Sequence, residues 1–257
     1  MASALQIIGV RNPFTIGQLP LPMPIVSVRD DLERFYWATL HDKAGRFECA
    51  GNGKLKIDSK RNLTQFNEVL ERSTSATNDL VSHLMSDSFK KRILGALWWE
   101  IIKCRRDRYF FELLLFKMFG VDPFETRVEF SWMPVGASIV PHTDSVGKIF
   151  SGLIYLQDEN DSHLATRFWD YSEKNYENKH LEKTSDKSEF FERAISMQSP
   201  QFDSDCMYFF IRNSRSWHSV DVVTHNDPSY VRITINYNIF IRGSIVKKIV
   251  KKIFGLS

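Results

Sequence analysis

The pattern of apolar and polar positions changes period along this chain, and the changes divide it. Residues 11–28 mix prolines with isolated apolar positions, as an extended arm or an edge strand would. Val26-Ser27-Val28-Arg29-Asp30-Asp31-Leu32 leads into a helix, with Asp30 or Asp31 placed to cap Leu32 onward. From Asn78 to Met118 the pattern is helical. Ser86-Asp87-Ser88-Phe89 reads as a helix start, Trp98, Trp99, Ile101 and Ile102 continue its apolar face, and Phe110 to Phe119 form a second dense run. Such faces are expected to pack as core helices against a sheet.

Further along, the period becomes two. Arg232, Thr234, Asn236 and Asn238 share one face of an extended strand, and Val231, Ile233, Ile235, Tyr237 and Ile239 share the other. An ordinary amphipathic strand turns its polar face to water. The alternative, which is favoured here, turns it inward onto a polar ligand, because buried polar groups are costly unless hydrogen-bonded.

Two segments stand apart from this periodicity. Residues 158–195 are crowded with Asp, Glu, Asn, Lys and Ser, the composition of a lid over a site or of a solvated surface insertion. Phe168, Trp169 and Tyr171 near its start form a set able to stack on a sugar or another ring, while His163 and His180 are expected at the surface. Near the end, Ile245-Val246-Lys247-Lys248-Ile249-Val250-Lys251-Lys252-Ile253-Phe254 makes a basic amphipathic helix. It fits either an anionic membrane surface or a terminal helix docked with its lysines in water.

Composition narrows the picture. At 257 residues and 43% apolar content, a single domain over 1–257 is expected. Within it, 1–120 would supply the arm and supporting helices, 121–241 a barrel interrupted by a 158–205 insertion, and 242–257 the basic helix. The formal net charge is only +3, so the basicity is local; this argues against nucleic acid as a partner, and Arg105-Arg106-Asp107-Arg108 reads as a solvated face. Three widely spaced cysteines, Cys49, Cys104 and Cys206, fit neither a disulfide framework nor a zinc ribbon and suggest a reducing, cytoplasmic setting. The N-terminus lacks the basic start and apolar run of a signal peptide, and no stretch approaches the roughly 18–20 apolar residues of a membrane span.

The candidate chemistry lies in Trp132-Met133-Pro134-Val135-Gly136-Ala137-Ser138-Ile139-Val140-Pro141-His142-Thr143-Asp144. On an extended strand His142 and Asp144 point to the same face, so one imidazole and one carboxylate stand side by side. Adding His218, from the distant Trp217-His218, completes the two-histidine, one-carboxylate facial triad of non-haem Fe(II) oxygenases. Each part has a plainer reading: Gly136 as a turn, His218 as a core histidine, Arg232 as a surface charge. Their order along the chain is what those readings leave unexplained.

From about Arg127 to Phe240 the chain resembles the Fe(II)/2-oxoglutarate-dependent dioxygenases, most closely their prolyl-4-hydroxylase-like branch. The matching pieces are Pro134-Val135-Gly136 with Ile139 to Asp144, Gly152-Leu153-Ile154-Tyr155-Leu156-Gln157, Thr166-Arg167-Phe168, Trp217-His218-Ser219-Val220 and Arg232-Ile233-Thr234-Ile235-Asn236. The resemblance implies an α+β fold with a mainly β core: a double-stranded β-helix, or jelly-roll barrel, buttressed by N-terminal helices. It implies Fe(II) on His142, Asp144 and His218, with Arg232 pairing the distal carboxylate of 2-oxoglutarate and Thr234 adding a hydroxyl bond. Tyr155 and Asn236 complete the expected co-substrate set, Tyr155 standing in for a tyrosine that relatives carry where this chain has Trp132-Met133. O2 is the implied oxidant and ascorbate a candidate reductant. His163-Leu164-Ala165-Thr166 replaces a Gly-Gly-x-Thr turn, so its loop geometry should differ. Because Asp144 is a carboxylate rather than a small residue, the resemblance implies hydroxylation rather than halogenation.

The aromatic-bearing polar segment and the cationic tail together suggest an anionic or lipid-linked small molecule, such as a carbohydrate, as the substrate, with a prolyl or other protein side chain as the alternative. A non-catalytic barrel that binds a small ligand, or an interaction module anchored by the basic tail, are the competing classes. No pattern speaks to oligomeric state.

Overall fold

Period-two alternation builds two antiparallel sheets, and helical periodicity builds the layer that covers one of them. The computed structural model describes residues 6–11, 14–21, 25–40, 47–50, 52–104, 113, 122–157, 159–171, 181, 184–197 and 205–241. The Arg105–Arg108 face, the Phe110–Phe119 run apart from Leu113, His180 and the 242–257 segment lie outside these residues.

In chain order the elements are β1 (Gln6–Arg11), β2 (Phe14–Pro20), α1 (Val26–Thr39), β3 (Glu48–Ala50), β4 (Lys54–Asp58), α2 (Leu63–Arg72), α3 (Ser75–Met85) and α4 (Asp87–Cys104). Then follow β5 (Phe124–Pro134), β6 (Ile139–His142), β7 (Lys148–Tyr155), β8 (Arg167–Asp170), α5 (Thr184–Arg193), β9 (Ile195–Ser196), β10 (Cys206–Ile211), β11 (Trp217–Val220) and β12 (Val231–Ile241). The larger sheet has the order β1-β2-β10-β7-β12-β5-β4-β3, the smaller β6-β11-β8-β9. The two ladders are separate, and the observed class is mixed helix and antiparallel sheet.

The apolar face of the larger sheet packs on the helices. Phe130 of β5 stacks on Phe66 of α2 at 4.9 Å, Tyr237 of β12 meets Phe89 of α4 at 5.2 Å, and the Trp132 indole donates to the Leu32 carbonyl of α1 at 3.0 Å. Val128, Ile233, Ile235 and Ile239 join the same continuous core. The polar face of β12 is buried as well, with Arg232 3% and Thr234 2% exposed, so it turns inward rather than to water. That inward polar face positions the site.

Local expectations are adjusted by tertiary contacts in four places. The 11–28 stretch is not an edge: β2 is hydrogen-bonded to β1 and β10 on its two sides, and Pro20 is tolerated because its missing N–H falls at the strand end. Ser86 does start a helix, its hydroxyl accepting the Phe89 amide at 3.2 Å, but it also breaks the 78–118 pattern into α3 and α4. Leu97 and Ile101 define the buried face of α4, and Trp99, about 200° around the helix from Leu97, is 67% exposed.

Asp31 is the fourth case. It lies inside α1 rather than ahead of it, and it caps a different helix. Its Oδ2 accepts the Thr74 amide at 2.8 Å and the Thr74 and Thr77 hydroxyls at 2.7 Å each, at the N-terminus of α3. Burial alone would raise its carboxyl, but the Thr74 and Thr77 bonds and Arg34 hold it below the usual carboxylate range. Asp31→Ala should therefore lower stability by about 2–3 kcal/mol, a cap plus stranded donors. A depressed folded-state value stabilises the fold above the ordinary carboxylate range, and that contribution fades as pH falls through it. The gap between wild type and variant in urea unfolding should thus narrow in acid. A gap that persists unchanged there would refute the assignment.

Candidate metal centre

β6 and β11 pair antiparallel with His218 directly opposite His142, which brings the two rings to 4.1 Å between centroids. Asp144 sits just past the end of β6 instead of on the strand, and Arg212 Nε steadies that turn by donating to the Asp144 carbonyl at 3.1 Å. Candidate ligand atoms of His142, Asp144 and His218 lie within 4.8 Å of one another, with His218 Nε2 3.9 Å from Asp144 Oδ2.

The backbone selects the tautomer of both rings. His142 Nδ1 lies 2.9 Å from the Val140 carbonyl, and His218 Nδ1 lies 3.0 Å from the Ser216 carbonyl. A carbonyl can only accept, so the hydrogen-bond network assigns the proton to Nδ1 and leaves each Nε2 lone pair for a metal. The carboxylate is equally constrained. Lys148 Nζ donates to Asp144 Oδ1 at 2.9 Å and Ser151 Oγ to Oδ2 at 3.0 Å. Burial would raise the Asp144 carboxyl, but Lys148, His218 and His142 pull it far below the usual range and keep it ionised. Oriented imidazoles and an ionised carboxylate fit a divalent metal. Ser151→Ala should weaken metal binding about tenfold, the lower end for outer partners of metal ligands. Competition against a fluorescent chelator measures it; unchanged affinity would mean Ser151 does not orient Asp144.

A cavity of about 290 Å³ opens on the triad, between the polar face of the larger sheet and the smaller sheet. Arg232, Thr234 and Asn236 all line it. Arg232 Nε donates to the Leu164 carbonyl at 2.8 Å and Nη1 to Met133 Sδ at 3.3 Å, while its guanidinium carbon lies 5.3 Å from the Tyr155 ring centroid. No carboxylate pairs with it among the described residues, and burial lowers its affinity for its own proton. Thr234 is buried beside it. Tyr155, opposite Thr234 in register, stands behind Arg232, and its phenol oxygen accepts the Thr166 amide at 3.1 Å. The glycine-free His163–Thr166 turn thus supplies backbone contacts to both. Asn236 Nδ2 donates to Glu129 Oε1 at 2.7 Å, and its Oδ1 has no hydrogen-bond partner among the described residues.

Sequence reasoning missed several groups in the same cavity. Besides Lys148 and Ser151, these are Lys54 and Lys56 of β4 and Glu129 of β5. Lys54 Nζ lies 2.8 Å from Glu129 and Lys56 Nζ 3.6 Å from it. Burial would raise Glu129, but the two lysines bring it down to about 2. The signal was present as alternation in Lys54-Leu55-Lys56-Ile57 and Arg127-Val128-Glu129-Phe130-Ser131.

The aromatic set does not serve as a stacking platform. Trp169, Tyr171, Phe190 and Trp217 bury one another as a satellite core, with Phe190 5.1 Å from Trp217 and the Trp169 indole donating to Ser219 Oγ at 2.8 Å. Phe168, one residue along β8, points the other way, toward Phe210 at 5.2 Å and His218 at 6.4 Å. His163 is exposed, as expected. No disulfide joins Cys49, Cys104 and Cys206, and no helix among the described residues is long and apolar enough to cross a membrane.

No family model matches the sequence, and no curated protein is similar to it. Among solved structures, the chain is similar to a prolyl-4-hydroxylase from Pseudomonas putida at 11% identity and a TM-score of 0.40, over 88% of this chain and 92% of that one. It is similar to a prolyl hydroxylase from Trichoplax adhaerens, in complex with a hypoxia inducible factor oxygen degradation domain peptide, at 12% identity and a TM-score of 0.42. That match covers 92% of this chain and 87% of the other. A third is HygX from Streptomyces hygroscopicus with nickel and 2-oxoglutarate bound, at 10% identity and a TM-score of 0.40 over 90% and 83% of the two chains. Similarity this remote assigns no residue a role. His142, Asp144 and His218 fit the two-histidine, one-carboxylate facial triad of non-haem iron oxygenases.

Proposed function

We propose that this chain is an Fe(II)- and 2-oxoglutarate-dependent oxygenase that hydroxylates a small molecule and releases succinate and carbon dioxide. The observation that carries this reading is Arg232, a buried guanidinium without a carboxylate partner among the described residues, in the same cavity as the triad. A buried cation is stable only when paired and hydrogen-bonded, and a planar fork of donors suits a carboxylate. The two sheets we read as the major and minor sheets of a double-stranded β-helix, with the cavity between them.

Iron and 2-oxoglutarate, when bound, supply the oxidising chemistry. The protein's residues supply position. His142 and His218 present Nε2 because their Nδ1 hydrogens are held by backbone carbonyls. Lys148 and Ser151 hold the Asp144 carboxylate in place. Arg232 and Thr234 would hold a carboxylate of the co-substrate in the cavity that the triad also lines. Phe168 and Phe210, both buried beside His218, exclude water on that side.

Succinate formed from 2-oxoglutarate without added substrate tests this directly, since uncoupled turnover needs only metal, co-substrate and O2. Wild type should show it and His142→Ala should not. An anaerobic titration with Fe(II) and 2-oxoglutarate should also develop a weak visible charge-transfer band. If neither signal appears, the chain is a non-catalytic binding barrel.

A further inference from the structure

The cavity is more cationic than its metal and co-substrate require. Six cationic side chains line it against three carboxylates. The two positive charges of a divalent metal and the two negative charges of 2-oxoglutarate cancel, so the surplus survives loading. Arg232 is taken by the co-substrate in the reading above, Lys148 by Asp144, and Arg127 by Glu125 at 2.7 Å. Arg61 sits at the rim, with a side chain 59% exposed and Glu48 3.4 Å away. Asp58 spends one carboxylate oxygen on the amides of Lys60 and Arg61.

Lys54 and Lys56 remain. They are two residues apart on β4, so both project from one face, with side chains only 14% and 15% exposed. Between them stands a single buried carboxylate, Glu129, with Glu48 3.3 Å from Lys56 at the outer edge. An ammonium group carries three donors, and Lys54 uses one of them on Glu129. Beside this pair, Ser131 Oγ (opposite Lys56 in register) and Asn236 Oδ1 are buried with no hydrogen-bond partner among the described residues. Spare donors and unpaired polar atoms on one wall of a buried cavity mark a place where something polar sits.

We infer that the substrate carries an acidic group, a carboxylate or a phosphate, that docks on Lys54 and Lys56, with a hydroxyl or amine on the same molecule meeting Ser131 and Asn236. This rests on the oxygenase reading and deepens it. Glu129 holds the two lysines in place while too little negative charge is present to neutralise them. A cavity near 290 Å³ is at the small end for ligand sites and also holds the co-substrate, so the acidic substrate is compact. A polycationic or wholly apolar substrate would meet a repulsive or unsatisfied wall.

The test uses the full chain loaded with Ni(II) and 2-oxoglutarate, so that Arg232 and the triad are already engaged. Binding of Ni(II) and 2-oxoglutarate, followed by calorimetry, decides the co-substrate reading by itself. Methyl phosphate and acetate are then titrated in separate arms. Saturable anion binding is expected. Lys54→Gln combined with Lys56→Gln should weaken it at least about tenfold, the loss expected for hydrogen bonds to a charged group. The Lys54→Arg, Lys56→Arg pair should keep it within about threefold, since charge is retained. Glu129→Gln should tighten it by removing the competing carboxylate. The arm that binds more tightly assigns phosphate or carboxylate. A loaded wild type that binds neither anion, or a double glutamine variant that binds as well as wild type, overturns the inference while leaving the co-substrate result standing. Should the double variant fail to fold, Lys56→Gln alone must show at least a threefold loss, and an unchanged affinity there overturns it equally.

Discussion

Arg232→Met will weaken 2-oxoglutarate binding by at least about 30-fold and at the same time make the ligand-free protein more stable. Both effects follow from one observation. The Arg232 guanidinium is 3% exposed, and among the described residues it is held by the Leu164 carbonyl, the Met133 sulfur and the Tyr155 ring, none of them negatively charged. Burial lowers its affinity for its proton, which is the same free energy seen as a stability penalty. Methionine fills similar volume without charge. Replacing buried charged groups by apolar ones of similar size has gained about 1–4 kcal/mol elsewhere. Leaving the Leu164 carbonyl without its donor subtracts about 1 kcal/mol. A net rise of a few degrees in Tm is therefore expected, at roughly 2–4 °C per kcal/mol for a chain of this size.

With metal and 2-oxoglutarate present the order should reverse. Truncating one partner of a buried charged pair costs about 2–5 kcal/mol, which is roughly 30-fold to several-thousand-fold in affinity. Wild type at about 100 times its Kd gains roughly 2.7 kcal/mol from the ligand, and the variant at the same concentration gains no more than about 0.9 kcal/mol. Thermal unfolding with and without co-substrate reads both halves. A variant that shifts with 2-oxoglutarate as much as wild type does would remove Arg232 from the binding role. One that is less stable without ligand would mean that the guanidinium is already satisfied by the fold.

His142→Ala and His218→Ala should each eliminate metal-dependent succinate formation to below about 1% of wild type. Changing even an outer partner of a metal ligand costs about 10–100-fold, and removing the ligand itself costs more. The two substitutions should not add. The rings face each other at 4.1 Å and act on one ion, so the double variant should be no worse than either single one. His225 is the control. It is exposed and stacked on Tyr230 at 4.1 Å, away from the cavity, so His225→Ala should turn over as wild type does. Residual activity above a few per cent in either single variant, or a double variant markedly worse than both, would show that the histidines do not share a metal.

Sequence reasoning reached the triad because each of its parts is a local pattern. His142 and Asp144 are two residues apart, and His218 opens a short β-like run after Trp217. The polar face of β12 was equally legible, since alternation along a strand needs no knowledge of the rest of the chain. The inward direction of that face was the favoured reading and holds in the structure, but alternation alone does not compel it. An amphipathic strand with its polar side to water has the same sequence signature as one with that side lining a cavity, and only the smaller sheet laid over it decides between them.

The same distinction explains what was missed. Asp31 has the composition of a local cap, yet its acceptor is used at Thr74 and Thr77, because α1 packs beside the start of α3. Trp169 and Tyr171 read as ligand-stacking rings because nothing nearby in the chain reveals that Phe190 and Trp217 bury them. Lys54, Lys56 and Glu129 carry no motif of their own, and they meet inside the cavity through the pairing of β4 with β5. The chain's own order determined the elements, the faces and the donor set, all of which follow from period and spacing over a few residues. The tertiary structure decided which faces meet, that His142 and His218 stand opposite each other, and what charge surrounds the candidate metal centre, because those depend on groups far apart in sequence and only a few ångströms apart in the fold.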